Sequence, residues 1–564
     1  MKTYFTIKKN ISFFITLFSI QMAFAQTKTM GVFVNDSANV FKGYTLFAPK
    51  QNTMTYLINN DGRIMHQWTK STWAPGQAVY LLENGNLLRT CMTKGNLGTG
   101  GGEGGRIEEY SWNDSLVWSM DYSTSTYMQH HDIKKLPNGN IIMLVVEKKT
   151  WAQLVAFGFD TAQFQPDIKQ KGFMLPDCVI EIKPTYPTGG TVVWEWHVFD
   201  HLIQNHDSTK LNYGVPSQHP ELIDAAGDHR VLPLFWNHMN SIDYNAVLDQ
   251  ISLSVRGNSE LWLIDHSTSL AQSSSHSGGK RGKGGDLLFR WGNPLTYGRG
   301  TVSTQTFFEQ HDAEWIHSDC PGAGHLMAFN NGVNRNYSSV EEIVPAIDSA
   351  GNYSIVGNNP FGPSSSIWSY KANPPASMYA HDISGAQRLQ NGNTIICTGP
   401  NGTLYEVTNS GNVVWKYVSP VDDKGPLSQG DSIPHNPVRP EETMNSIFRV
   451  YKYPYNYPAF AGKTLIAGEL IEKYSTGFKE SITADVFKIF PNPSAGEIYF
   501  ENNFGNHKIS KVEILDISGR VLEVFYAEPN SSIEKINLSG KASGLLQINI
   551  STQDHIFTYR IIVK

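Results

Sequence analysis

A chain of 564 residues with a formal net charge of −6 and a pI near 6.3 offers no basic field for DNA or RNA, and no arginine–aromatic groove is present. Aromatic residues at 12% and 49 glycines, beside 17% charged residues, suit strands joined by tight turns better than a helical or disordered chain.

The chain opens "MKTYFTIKKNISFFITLFSIQMAFAQ", with Lys2, Lys8 and Lys9 ahead of an apolar run from Ile11 and a small-residue site at Ala23-Phe24-Ala25. This pattern predicts a secretory signal peptide over residues 1–25, because the apolar run is too short to span a membrane. No later segment has the length of a spanning helix. The four cysteines, Cys91, Cys178, Cys320 and Cys397, lack metal-type spacing and read as buried small apolar residues.

Two hairpin types then alternate. One ends in tryptophan: "YLINNDGRIMHQW" at Trp68, "IEEYSWNDSLVW" at Trp118, and further copies at Trp196, Trp291, Trp368 and Trp415. The other carries Asn-Gly-Asn in its clearest forms, "VYLLENGNLLRT", "HHDIKKLPNGNIIMLVV" and "AHDISGAQRLQNGNTIICTG", with "MNSIFRVYKY" as a degenerate sixth. Asn-Gly between β-rich runs is a strong hairpin signal. Six units of two hairpins predict a six-bladed β-propeller over residues 26–475, with a pair of β-sandwiches as the alternative. The glycine-rich run 98–105 lacks the Lys-Ser/Thr of a phosphate loop and reads as a connection, as does "SSSHSGGKRGKGGD" at 273–286.

Composition shifts near residue 480, so 476–484 reads as a linker and 485–564 as a small β-sandwich of short alternating strands. Pro491-Asn492-Pro493, Asp516-Ile517-Ser518-Gly519-Arg520, Ser543-Gly544 and the basic last residue resemble the type A sorting domain of the type IX secretion system. The resemblance implies handling by that machinery and a secreted or cell-surface destination, through periplasm and outer membrane.

In a propeller the residues at one point of each repeat form a ring at one rim. His131, His238, His311 and His381 head the inner hairpins of four repeats, with Gln77 and Asn445 near that point in the first and sixth. Antiparallel pairing with a turn near Leu248 predicts Arg256 opposite Asn240, which shares a strand face with His238. A fixed cation, an amide donor and several imidazoles suit an oxyanion whose charge is spread over several oxygens. Asp132, Asp312 and Asp382 follow their histidines directly, so strict alternation predicts that they point away from the channel.

These residues, with "WNHMNSIDY", "QHDAEW" and "FRVYKYPYNYPAF", resemble the bacterial arylsulfate sulfotransferases, which use no soluble nucleotide. The resemblance implies that His311 accepts the sulfuryl group and that His238, Asn240, Arg256 and His131 hold it, with His130 competing with His131. It implies a phenolic sulfate donor, a phenolic acceptor, no cofactor and no catalytic metal; His381 matches no family position, and the family's close cysteine pair is absent. Two other readings stay open: a metal-dependent enzyme built on the histidine ring, and a non-catalytic cell-surface propeller that binds sulfated ligands.

Overall fold

The computed structural model describes residues 28–93, 97, 101–225, 232–474, 481–482, 486–502, 508–516, 520–528, 531–552 and 556–564. The leader reading of 1–25, most of the 476–484 linker and residues 517–519 of the tail motif lie outside these. Among the described residues no helix exceeds six residues, and the protein is all-β.

Six antiparallel sheets of four or five strands span residues 31–454, beside three two-stranded ones among the described residues. In five of them the strands run in chain order, led by Pro75–Leu81, Tyr127–Lys135, Met239–Asn245, His311–Trp315 and Gly385–Arg388. The remaining sheet is built from both ends of the unit: Tyr451–Pro454 pairs with Gly43–Phe47, which continues to Thr55–Ile58 and Ile64–Trp68. The stretch "MNSIFRVYKY" is therefore one strand that takes its partner from the N-terminal side, not a hairpin of its own. Gly31–Asn35 adds a fifth strand beside Val413–Val418.

The Asn-Gly-Asn turns are superimposable in detail. Gly85, Gly139 and Gly392 hold φ of 89°, 88° and 87°, a left-handed conformation that glycine adopts without a Cβ penalty. In each, the first asparagine caps the backbone N–H of the second, from Asn84, Asn138 and Asn391 to Asn86, Asn140 and Asn393.

Two cyclic sets of hydrogen bonds join the sheets. Each repeat tryptophan lies on a fourth strand and donates its indole N–H to a carbonyl before the fourth strand of the next sheet: Trp68 to Ser111, Trp118 to Gly189, Trp196 to Gly285, Trp291 to Pro363 and Trp368 to Asn409. Trp415 returns the series to the first sheet at Asn60, 2.7 Å away. The leading strands are joined likewise, starting with Tyr80 O–H, which donates to Asp132 Oδ1 at 2.6 Å. Asp132 accepts from Ile242 N–H, Ser241 and Asp243 from Ala313 and Trp315, Asp312 from Ala386, Gln387 from Lys452, and Tyr453 from Leu81. Neighbouring sheets bury large apolar layers between them, the largest containing Trp194, Trp196, Trp236 and Trp262.

Residues 481–563 form a five-stranded and a three-stranded sheet around their own core of Phe487, Ile498, Val512, Ile514, Ile548 and Phe557. All four cysteines are buried and none forms a disulfide.

Candidate active site

A bulge interrupts the leading strand of four sheets. His130, His131 and Asp132 together face the single residue Leu144, Asn240 is the extra residue between Met239 and Ser241, and Asp312 and Ala313 share Ala328. Gly76, Gln77 and Ala78 do the same against Thr90. Each bulge carries or adjoins a left-handed residue: Gln77 at φ 113°, His131 at 45°, His238 at 47° and Asp312 at 61°. Such a conformation costs a non-glycine residue roughly 1–2 kcal/mol, and a bulge re-aims the side chains beside it.

The re-aiming gathers three of the four ring histidines. The His131 and His238 rings lie 5.0 Å apart; His131 and His311 are buried and His238 is half-buried. Burial is the main cause that holds all three imidazoles below their ordinary value, His311 at about 3, His131 and His238 well below. The Arg256 guanidinium is the next cause for His238 and His311, and the neighbouring imidazoles for His131. All three rings are neutral at pH 7.

A hydrogen bond fixes the tautomer of His311. Asn331 gives its amide N–H groups to the carbonyls of Ala380 and Ile383, both at 2.9 Å, so its Oδ1 can only accept. That oxygen sits 2.8 Å from His311 Nδ1, which must carry the hydrogen, and the lone pair is left on Nε2. His130 Nε2 lies 2.7 Å from Asp177 Oδ1, and its Nδ1 lies 2.8 Å from His131 Nδ1. One ring of the His130–His131 pair donates through Nδ1 and the other accepts, so whichever donates keeps its lone pair on Nε2.

Several sequence expectations change here. Arg256 does not pair opposite Asn240: it starts a turn after the second strand, its N–H bonds the His238 carbonyl at 3.3 Å, and its guanidinium binds Glu309. Asn240 Nδ2 is taken up by the Gln310 carbonyl at 2.8 Å, which ties its strand to the residue before His311 and leaves Oδ1 buried without a partner. His381 lies on a loop, 26% exposed, with Nε2 3.2 Å from Asp382 Oδ1, and it makes no ring contact with the other three. Asn445 is spent on the Ser419 carbonyl. Asp132 and Asp312 do not point away: they converge on Arg449, 3.0 and 2.7 Å from its Nη1, because alternation fails across a bulge.

Four features escaped the sequence reading. Arg449 is wholly buried, donates to the Asn240 carbonyl at 2.9 Å, and stacks on Phe448, whose ring is 5.9 Å from His131. Arg439 binds Asp382 and Glu442 and depresses His238. Asn331 follows "AFN" at the end of the Leu326–Asn330 strand and carries no motif. The glycine run is more than a connection: Gly102 accepts from His131 N–H at 2.9 Å, and a Cβ there would fall 1.8 Å from His131 Cε1. Gly101 lies over His238, where a Cβ would be 3.6 Å from Cε1.

Comparison with known proteins agrees with this chemistry. Residues 25–424 match the arylsulfotransferase (ASST) family, and 488–564 match a secretion system C-terminal sorting domain. No curated protein matches the chain. Among solved structures, it is similar to a protein of unknown function from Bacteroides caccae at 11% identity, over 73% of this chain and 98% of that one, with a TM-score of 0.37. A streptogramin B lyase (10%, 71% and 86%, TM-score 0.31) and the periplasmic gluconolactonase PpgL of Pseudomonas aeruginosa (9%, 93% and 99%, TM-score 0.31) are comparably distant, and likeness at this level assigns no function. With the match running from 25 to 424, the chain belongs to the arylsulfotransferase family and carries a type IX sorting domain that marks it for export.

Proposed function

We propose that the protein moves a sulfuryl group from an aryl sulfate to a phenolic acceptor through a sulfohistidine at His311. The family supplies the reaction class, and the bond from Asn331 to His311 Nδ1 supports the choice of nucleophile. His311 Nε2 attacks sulfur, the N–S bond forms as the S–O ester bond breaks, and the phenolate leaves. The acceptor phenol then attacks the same sulfur, the N–S bond breaks, and the phenolic proton passes to a base. His131, neutral and hydrogen-bonded to His130, is that base and returns the proton to the next leaving phenolate.

Transfer of this kind rests on charge stabilisation at the outer oxygens. Arg256 holds those oxygens by exchanging Glu309 for the substrate, with His238 beside it. Asn240 and His130 act by positioning, and His381 orders the loop that Asn331 grips. Phe235, 6.4 Å from His238, and Phe448 flank the imidazoles and suit an aryl ring. The guanidinium groups of Arg256, Arg439 and Arg449 around the histidines weigh against a dication among them.

The two cyclic sets of hydrogen bonds support a six-bladed propeller as the scaffold, and the separate core beyond 486 supports a catalytic unit over 26–475, a linker over 476–484 and a sorting domain over 485–564; the leader of 1–25 rests on the sequence pattern alone. The test is turnover of 4-nitrophenyl sulfate with phenol as acceptor, with and without a chelator. Chelator-insensitive transfer is expected. A protein that binds aryl sulfates without turnover is a receptor, and chelator-abolished transfer returns the metal reading.

A further inference from the structure

The long connection between Glu260–Asp265 and Phe289–Trp291 packs against the fourth strand of the preceding sheet, Gly190–His197. Trp194 Nε1 bonds Thr268 Oγ1 at 3.1 Å and Trp196 Nε1 bonds the Gly285 carbonyl at 2.6 Å. Beneath this seam His201, with no exposed surface, stacks nearly parallel on Trp196 at 5.5 Å.

The hydrogens around His201 do not close on protein atoms alone. Nε2 lies 2.9 Å from the Ser273 carbonyl, which only accepts, so Nε2 carries the hydrogen and Nδ1 of the neutral ring holds a lone pair. That lone pair meets another acceptor, Asp286 Oδ1, at 2.8 Å. The same oxygen is 2.7 Å from His276 Nδ1. A positive centre between His201 and Asp286 resolves the clash.

We propose that His201 Nδ1, His276 Nδ1 and Asp286 bind a divalent cation of the zinc type, pinning residues 266–286 to the neighbouring sheet. Two imidazole nitrogens and one carboxylate form a borderline donor set suited to zinc. Ser273 orients the buried ring from outside, as carbonyls do for metal-bound histidines. His276 is 60% exposed, which leaves a fourth position to water. Tetrahedral bonds of about 2.0–2.1 Å set ligand atoms about 3.3 Å apart, so both contacts need to open by roughly 0.5 Å: exposed His276 allows this by its own movement, and the contact with buried His201 requires the Asp286 carboxylate to turn.

Two other groups of potential ligands lack this character. Glu147, Cys178 and His197 include Lys149 Nζ 2.8 Å from Glu147, and His381, Asp382 and Glu442 already hold Arg439. Among the described residues no lysine or arginine pairs with Asp286.

The test uses the full mature chain after exhaustive chelation. Zinc chloride alone, titrated by calorimetry, is expected to bind at about one equivalent and to raise the melting temperature. His276→Ala and Asp286→Asn are each expected to lose that equivalent, while His206→Ala, a surface control, keeps it. Cobalt in place of zinc is expected to give a visible absorption band that His276→Ala abolishes. Sulfuryl transfer by His276→Ala is expected to be unchanged, so the outcome is independent of the catalytic reading. No uptake by the wild-type chain, or uptake unaltered in both ligand variants, overturns the site and assigns the positive centre to a proton.

Discussion

At the scale of single residues, the account turns on where a hydrogen sits. Asn331 is a positioning residue: it reaches substrate only through His311, whose tautomer it selects. Asn331→Leu frees the ring to place its hydrogen on Nε2, and kcat should fall by about 10²- to 10⁴-fold with KM little changed. Asn331→Asp keeps the acceptor but adds a charge that favours the imidazolium, so the acid limb of kcat should move from near pH 3 towards neutrality. A purely structural role leaves that limb where it is. His131, His238 and His311 were legible because each heads a recognisable hairpin; His381 heads one too but stays apart, and Arg256 reaches the site by a turn and not by the expected pairing with Asn240. Arg449 and Arg439 were not legible, because their approach depends on contacts between parts of the chain far apart in sequence, and Asn331 was not, because it follows the strand that pairs with that of His311 but carries no motif.

Among strands and turns, the pattern of alternating hairpins placed five of the six sheets, since each motif has a local physical cause, and missed that the sixth takes its leading strand from Tyr451–Pro454. The bulges have no comparable signature. A reading that assumes period-two alternation therefore misplaced Asp132 and Asp312, which cap a neighbouring strand and bind Arg449 instead. The tryptophan girdle is open to measurement. Trp415→Phe removes the bond that returns the series to the first sheet and leaves the Asn60 carbonyl without its partner. It should cost about 2 kcal/mol by urea unfolding, roughly half from the hydrogen bond and half from lost packing. A change below about 0.5 kcal/mol would mean that the closing contact adds little.

For the whole molecule, pH acts through the imidazoles of the site. His131, His238 and His311 have folded values below the ordinary 6.5, so below that pH the unfolded chain binds protons that the folded one refuses. Stability should therefore rise with pH up to about 6.5 and fall by about 1.4 kcal/mol per histidine for each unit below it. His311→Gln should flatten that slope by one such increment. The tail carries an address, and its core is its own, so a chain ending at 475 should fold and retain transfer.

The central claim is a covalent sulfuryl group on His311. Mixing the enzyme with 4-nitrophenyl sulfate and no acceptor should release about one phenol per chain in a burst, and intact-mass analysis should show one added sulfuryl group on the peptide that contains His311. His311→Ala should show neither burst nor adduct. An adduct on His131, His238 or His381 would contradict the assignment of the nucleophile, and normal transfer by His311→Ala would contradict the mechanism.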